Sequence, residues 1–242
     1  MTFKDTGIVI RETHVGESDK IATVLFAERG KIGLSVRGAR KPGSKFLASV
    51  QQFCLSEFVV FSNKGLNTVT QADLIESHYG LRGNLETLCC ASFLAEMADK
   101  LIYPDIPAGH VLALLKSAYR VMSAGKMPPR LAASIFQFKL MQQEGYAPEL
   151  EGCSGCGARV GPGDSWFCGE GLLCGGCAQN ARALPVKLTE AARYAVEYIL
   201  NAEPDKLFSF KLAEPDLDSL WKAARVHRDG SLDIKFRSLE LL

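Results

Sequence analysis

Short alternating runs of apolar and polar residues fill the first part of the chain and predict β-structure. Ile32, Leu34 and Val36 alternate with Lys31, Gly33 and Ser35, the period of a half-buried strand. Comparable runs predict strands over Gly7–Thr13, Ile21–Ala27, Cys54–Phe61 and Leu66–Ala72, with Glu28-Arg29-Gly30 as a hairpin turn. Five short strands within residues 1–78 predict a small closed or partly open barrel, because closure removes exposed edges. From residue 82 the period becomes helical. Leu85, Leu88, Leu94, Met97 and Leu101 share one face, and Pro104 and Pro107 end that helix. Val111–Met122 is a second helix, stopped at Gly125. Pro128-Pro129 open a third, with Leu131, Ile135 and Phe138 on one face and Gly145 at its end. Residues 147–182 predict only short order. Thr189 caps a helix running to about Asn201, and Asp216–Val226 forms a last one. The tail beyond it has no clear period.

Composition narrows the class. With 47% hydrophobic residues among 242, the chain can bury a core and is not disordered. No apolar stretch approaches the ~20 residues of a membrane span. The opening MTFKDTGIVI has early charges and no apolar run, so no secretory signal is read there and the thiols are expected to stay reduced in the cytosol. The net charge of +1 excludes a uniformly basic polyanion binder, so any such site must be local.

Two CxxC pairs, Cys153/Cys156 and Cys174/Cys177, stand seventeen residues apart. Each turn aims two thiolates at one point, and the loop between folds back to bring the pairs together on one tetrahedral zinc. Gly155, Gly157, Gly175 and Gly176 permit the tight backbone. A pair of strained CxxC disulfides is the weaker reading in a reducing compartment. With four cysteines and no spare ligand position, the expected zinc is structural. The module is too small to fold on its own core, and metal binding, worth about 10–16 kcal/mol in small zinc modules, supplies what is missing. Cys168 lies inside the loop without a CxxC partner and reads as a bystander. Cys54, Cys89 and Cys90 lie in apolar stretches and read as core residues.

One basic run is uninterrupted by acids: Arg29, Lys31, Arg37, Arg40, Lys41 and Lys45. Its second half, from Arg37 to Lys45, is a Gly/Pro/Ser loop that can track a phosphate backbone. On charge alone a solvated loop is equally good, and the barrel tips the balance to nucleic acid. Phe46, Phe53, Phe58 and Phe61 are the aromatic candidates for stacking, though most suit a core. Gly38 to Lys45 resembles a P-loop with its last two residues swapped. The lysine must follow the second glycine directly to reach the phosphates, so nucleotide hydrolysis by this route is rejected. HExxH, GxSxG and GxGxxG are absent. His14, His78, His110 and His227 are isolated and read as surface or packing residues. Asp99 and Asp105 read as helix-end charges.

The order of these parts resembles the bacterial RecO family of recombination mediators. The resemblance rests on Gly7-Ile8-Val9-Ile10, Gly16-Glu17-Ser18-Asp19-Lys20, Glu28-Arg29-Gly30-Lys31 and Gly38-Ala39-Arg40-Lys41. It continues in Gly145-Tyr146-Ala147-Pro148-Glu149-Leu150, which leads into Cys153-Ser154-Gly155-Cys156-Gly157, and in Phe167 and Gly171-Leu172-Leu173-Cys174. It implies an α+β protein: an N-terminal OB-fold barrel over 1–79, a helical domain over 80–146 and 183–242, and a zinc module embedded at 147–182. It implies binding of single- and double-stranded DNA, annealing of complementary strands, and work with RecR to load RecA onto strands coated by the single-strand-binding protein SSB. It further implies a nucleoid-associated, non-enzymatic cytoplasmic protein, monomeric alone. Arg120, Arg130 and Lys139 are candidates for the acidic SSB tail, weighed against ordinary surface charge. The rival readings are a zinc-stabilised RNA-binding transcription or translation factor and a redox enzyme using the CxxC pairs.

Overall fold

The structure, a computed structural model, describes residues 1–62, 65, 67–161, 163–181 and 184–240. Leu66, at the start of the fifth expected strand, lies outside them, as do Pro162 and Arg182 of the cysteine segment and 183, 241 and 242 of the C-terminal part.

Five strands close into a barrel: β1 (Thr2–Val15), β2 (Asp19–Phe26), β3 (Gly30–Val36), β4 (Leu55–Phe61) and β5 (Asn67–Glu76). Their order is β1-β2-β3-β5-β4, closed by a short parallel contact of Leu34 and Ser35 with Asn67 and Thr68. β1 is longer than its apolar run suggests, because its polar ends pair with β2 on one side and β4 on the other. Its register shifts between Val9 and Arg11, which lets one long strand serve both neighbours. Alternating residues fill the interior, among them Val24, Phe26, Leu34, Val36, Phe58 and Val60. Ile8, Ile10 and Leu25 are buried as well. Two helices explain this: α1 (Leu85–Leu101) and α2 (Gly109–Ser123) pack on β1, and α2 also on β2. Asn84 caps α1 by accepting the Thr87 amide.

The chain divides into two compact units, Met1–Lys126 with the segment from Ser238 on, and Met127–Arg237. The first two helices therefore share a unit with the barrel. In that unit, Ser238 donates from both its amide and its hydroxyl to the Glu96 carboxylate of α1, at 3.0 and 2.6 Å.

The second unit is built on α3 (Pro129–Gln143), with Pro129 in the first turn as expected. The predicted face of Leu131, Ile135 and Phe138 is buried, but so are Ala132, Ala133, Phe136, Leu140 and Met141. α5 (Glu190–Asn201) and α6 (Glu214–Ser231) both pack on it. Thr189 caps α5 through Ala192 N at 3.2 Å, and Pro215 lies in the first turn of α6. Between α3 and α5 lie β6 (Trp166–Cys168), β7 (Gly171–Leu173), the short α4 (Gly175–Gln179) and β8 (Val186–Lys187). His227 of α6 binds this hairpin to α3. It is buried, stacks on Phe138, meets Phe167 edge-on, and contacts the carbonyls of Gly169 and Tyr146 at 2.8 and 2.9 Å.

Candidate metal centre and nucleic-acid interface

The first CxxC turn follows Glu149, which bridges to the β6–β7 hairpin: its amide donates to Glu170 O and its carbonyl accepts from Leu172 N, both at 2.9 Å. Gly171 is required at this crossing, since it has φ +143 and a Cβ there would collide with Glu149 O. The turn itself is closed by Cys156 N and Gly157 N on Cys153 O, with Gly157 at φ +74. Ser154 N is tied to Leu172 O at 2.8 Å, which sets the turn against the end of β7. Cys174 follows β7 directly and starts α4, and its amide donates to Cys153 Sγ at 3.3 Å.

The result is a cluster in which the sulfurs of Cys153, Cys156, Cys174 and Cys177 all lie within 4.8 Å of one another. Cys156 and Cys174 are 3.8 Å apart, far beyond a disulfide bond of about 2.05 Å, and every cysteine is a free thiol. The local charges are mutually dependent. Desolvation raises the Cys153 thiol, but amides of Cys174, Gly155 and Cys156 outweigh it and bring the group to about 6. Cys177, bonded to the sulfurs of Cys153, Cys156 and Cys174, is pushed up to about 12. One thiolate therefore forms at the expense of its neighbours, the condition that a bound cation relieves. The four residues can hold a metal ion. Cys168 is outside the cluster, opposite Gly171 in the hairpin. Cys54, Cys89 and Cys90 are buried.

The basic run divides. Lys31 on β3 is turned to α1, where it meets both the carboxylate of Asp99, at 3.2 Å, and its main-chain carbonyl. Arg29 lies over the Phe3 ring and 3.7 Å from Asp5. Residues 37–54 form an excursion of successive turns between β3 and β4. Ala39, Phe46 and Val50 of this excursion are buried in the barrel core. Its start is clamped to the β1–β2 turn: Gly38 N donates to the Asp19 carboxylate at 2.7 Å, and Arg40 N to Ser18 O at 2.9 Å. The Gly38 amide, above all, holds the Asp19 carboxyl below its ordinary range, helped by Arg37 and Lys41 nearby. Arg37, Arg40, Lys41 and Lys45 are exposed. Among the described residues Arg40 donates to the carbonyl of Gly16 and Lys45 to that of Thr70, and Lys45 rests on Phe46. Arg37 and Lys41 form no ion pair among the described residues. The loop is thus apolar on its inner side and a row of four cations outside. Of the four phenylalanines, only Phe61 is exposed.

Among the other singled-out residues, Arg120 makes a two-pronged pair with Glu76 and Lys139 donates to Leu200 O at 2.8 Å. Arg130 sits in α3. His78 is buried against Tyr119, with Nδ1 2.8 Å from Phe53 O. The sequence reading missed Asp99 as the partner of Lys31 and of Arg11, which lies 3.4 Å away. Neither spacing nor composition announces a pair of residues that far apart. Among the described residues, no helix is long and apolar enough to cross a membrane.

Comparison with known proteins matches two stretches of the chain, which meet after the barrel and not at the boundary between the two compact units. Residues 1–78 match the family model described as recombination protein O N terminal, and residues 82–240 the one described as recombination protein O C terminal. The chain is similar to a protein named DNA repair protein RecO in Acetivibrio thermocellus, at 33% identity over 99% of this chain and 96% of that one. It is also similar to proteins of that name in Heliobacterium modesticaldum, at 32% over 85% and 76%, and in Desulforamulus reducens, at 29% over 99% and 93%.

Proposed function

The chain belongs to the recombination protein O family, and from that premise we propose that it is a DNA-binding mediator of recombinational repair. It binds single- and double-stranded DNA, anneals complementary strands and, with RecR, helps load RecA onto SSB-coated strands. One observation carries this reading: four exposed cations on a loop whose inner side is anchored in a closed barrel. Arg37, Arg40, Lys41 and Lys45 take phosphates, while Arg29 and Lys31, held by Asp5 and Asp99, flank them.

Annealing needs two strands brought close with their repulsion screened and their bases free. A sequence-independent row of cations does both. Each neutralised phosphate releases condensed counterions, so four contacts give a slope of log affinity on log salt near −2.8 for single strands. No bond is broken, so the protein acts as a binder and not as an enzyme. It works in the cytoplasm at the nucleoid. Its partners are DNA, RecR and the SSB tail.

The metal of the cysteine centre is read as one structural zinc. Four sulfurs bonded tetrahedrally at about 2.3 Å stand about 3.8 Å apart, the separation of Cys156 and Cys174. A four-thiolate set is soft and leaves no open position. Zinc would be held by Cys153, Cys156, Cys174 and Cys177 and would supply cross-linking, not reactivity.

The test is annealing of complementary strands coated with SSB. Accelerated annealing that fades with the predicted salt slope supports the reading. Annealing of complementary RNA in preference to DNA would transfer it to an RNA-binding factor. No acceleration of either would overturn it.

A further inference from the structure

A cavity of about 420 Å³ opens beside the clamp of the basic loop. Its walls are Glu12 of β1, Lys20 of β2, Gln51, Gln52 and Phe53 at the far end of the excursion, and Arg82 of the 3-10 turn Tyr79–Arg82. Lys20 follows Asp19, which clamps the loop, and stands opposite Val36, the residue before the first cation. The excursion thus begins with its cations and ends as the cavity wall, both beside the same strand pair.

The polar groups of this wall are oriented but not saturated. The Lys20 ammonium, nine-tenths buried, meets the Glu12 carboxylate, which also accepts the Gln52 amide. An ammonium has three donors, and Glu12 uses one. Arg82 donates to Gln52 O at 2.6 Å, and its guanidinium lies 5.3 Å from the Phe53 ring centre. Phe53 is held at φ +74, a left-handed conformation that a bulky residue keeps only when its surroundings impose it. The Gln51 amide nitrogen donates to Leu47 O, and its side-chain oxygen has no partner among the described residues. Leu88 adds an apolar wall.

Phosphate suits this cavity poorly, because the Glu12 carboxylate and the Gln51 oxygen would both oppose it. A nucleobase suits it well. It is flat and neutral, carries donors and acceptors on one edge, and stacks on guanidinium planes. Donors from Lys20 and Arg82 favour the carbonyl-bearing bases guanine, thymine and cytosine over adenine, which has no carbonyl. We propose that the cavity receives one unstacked base of a DNA strand whose phosphates lie on Arg37, Arg40, Lys41 and Lys45. This rests on the DNA-binding reading above and adds to it. One base turned inward sets the register of the strand on the loop and leaves its neighbours outside, free to pair.

The test compares an oligothymidylate with the same sugar-phosphate backbone lacking its bases, by fluorescence anisotropy on the full chain. The base-bearing strand is expected to bind about tenfold tighter, a typical gain for one stacked base. An oligoadenylate should fall between the two. Gln51→Ala and Arg82→Gln should each shrink the preference, with thermal melting confirming that the variant is folded. Gln51 is a surface amide, so its variant keeps the test open if Arg82→Gln fails to fold. Equal affinity for both strands, with salt dependence retained, overturns the cavity and leaves the phosphate reading standing. A preference undiminished in the folded variants overturns it too, since the stacking then lies elsewhere. If neither strand binds, both readings fall.

Discussion

The excursion after β3 and the cysteine segment after α3 are both irregular, glycine-bearing stretches, and they are held in different ways. The excursion puts Ala39, Phe46 and Val50 into the barrel core and ties its start to the Asp19 carboxylate and the Ser18 carbonyl. Apolar burial holds it, so its cations are left over for a ligand. The cysteine segment buries Phe167 and Leu172, and its two CxxC turns bring four sulfurs within 4.8 Å of one another. There the distinctive side chains are gathered where they can hold a metal ion. On the proposed reading the more conspicuous motif is the structural one, and the plainer run of charge carries the function.

Removing one ligand should break the comparison hardest. Cys174→Ser is expected to release the metal and destabilise the second unit by several kcal/mol, as structural sites of this kind contribute much of a small module's folding energy. Elemental analysis and thermal melting measure it. DNA binding by the barrel should survive. Full metal content at an unchanged melting temperature would show that the ligand set is different.

The next largest effect is expected on the other side. Arg40→Glu with Lys41→Glu removes two of four cations and adds two repelling charges. Single-strand affinity should fall by about 100-fold at low salt and the salt slope should flatten by roughly 1.4. Circular dichroism should show the fold intact. Unchanged affinity would remove the loop from the interface.

Lys31→Ala sharpens the division inside the basic run. Lys31 is mostly buried against Asp99. Its loss should cost about 1 kcal/mol in urea unfolding, the scale of a charged hydrogen bond in which Asp99 keeps a second partner, Arg11. Single-strand affinity should change less than twofold. The reverse pattern would return Lys31 to the DNA surface.

The smallest effect involves one histidine in each unit. Burial holds His78 and His227 below the ordinary histidine range, opposed by their carbonyl contacts. The unfolded chain then binds more protons than the folded one, so this contribution is complete above about pH 6.5 and is lost as pH falls. Melting temperature should drop by a few degrees between pH 7.5 and pH 5. The drop should shrink in His227→Phe.

Much of this organisation was legible in residues. Thr189 caps α5 as its position suggested, and Pro129 opens α3. The CxxC spacing foretold the cluster, because two such turns can meet at few other places. What stayed hidden depends on distant partners. α3 showed one apolar face, yet α5 and α6 pack on it from far downstream and bury nearly all of it. Lys31 looked like its neighbours until Asp99, on a helix, drew it away. The cavity wall is gathered from residues 12 to 88, and no local pattern marks it.

The bond from Ser238 to Glu96 has a consequence for synthesis. A ribosome emits the barrel, α1 and α2 first, then the whole second unit, and only afterwards the piece that docks on α1. The first unit is therefore completed last, and the second is an insertion within it. A nascent chain stalled before Ser238 would hold the barrel and α1 with Glu96 paired to Lys100 but lacking the serine, a state that a truncation at 237 would reproduce in the test tube.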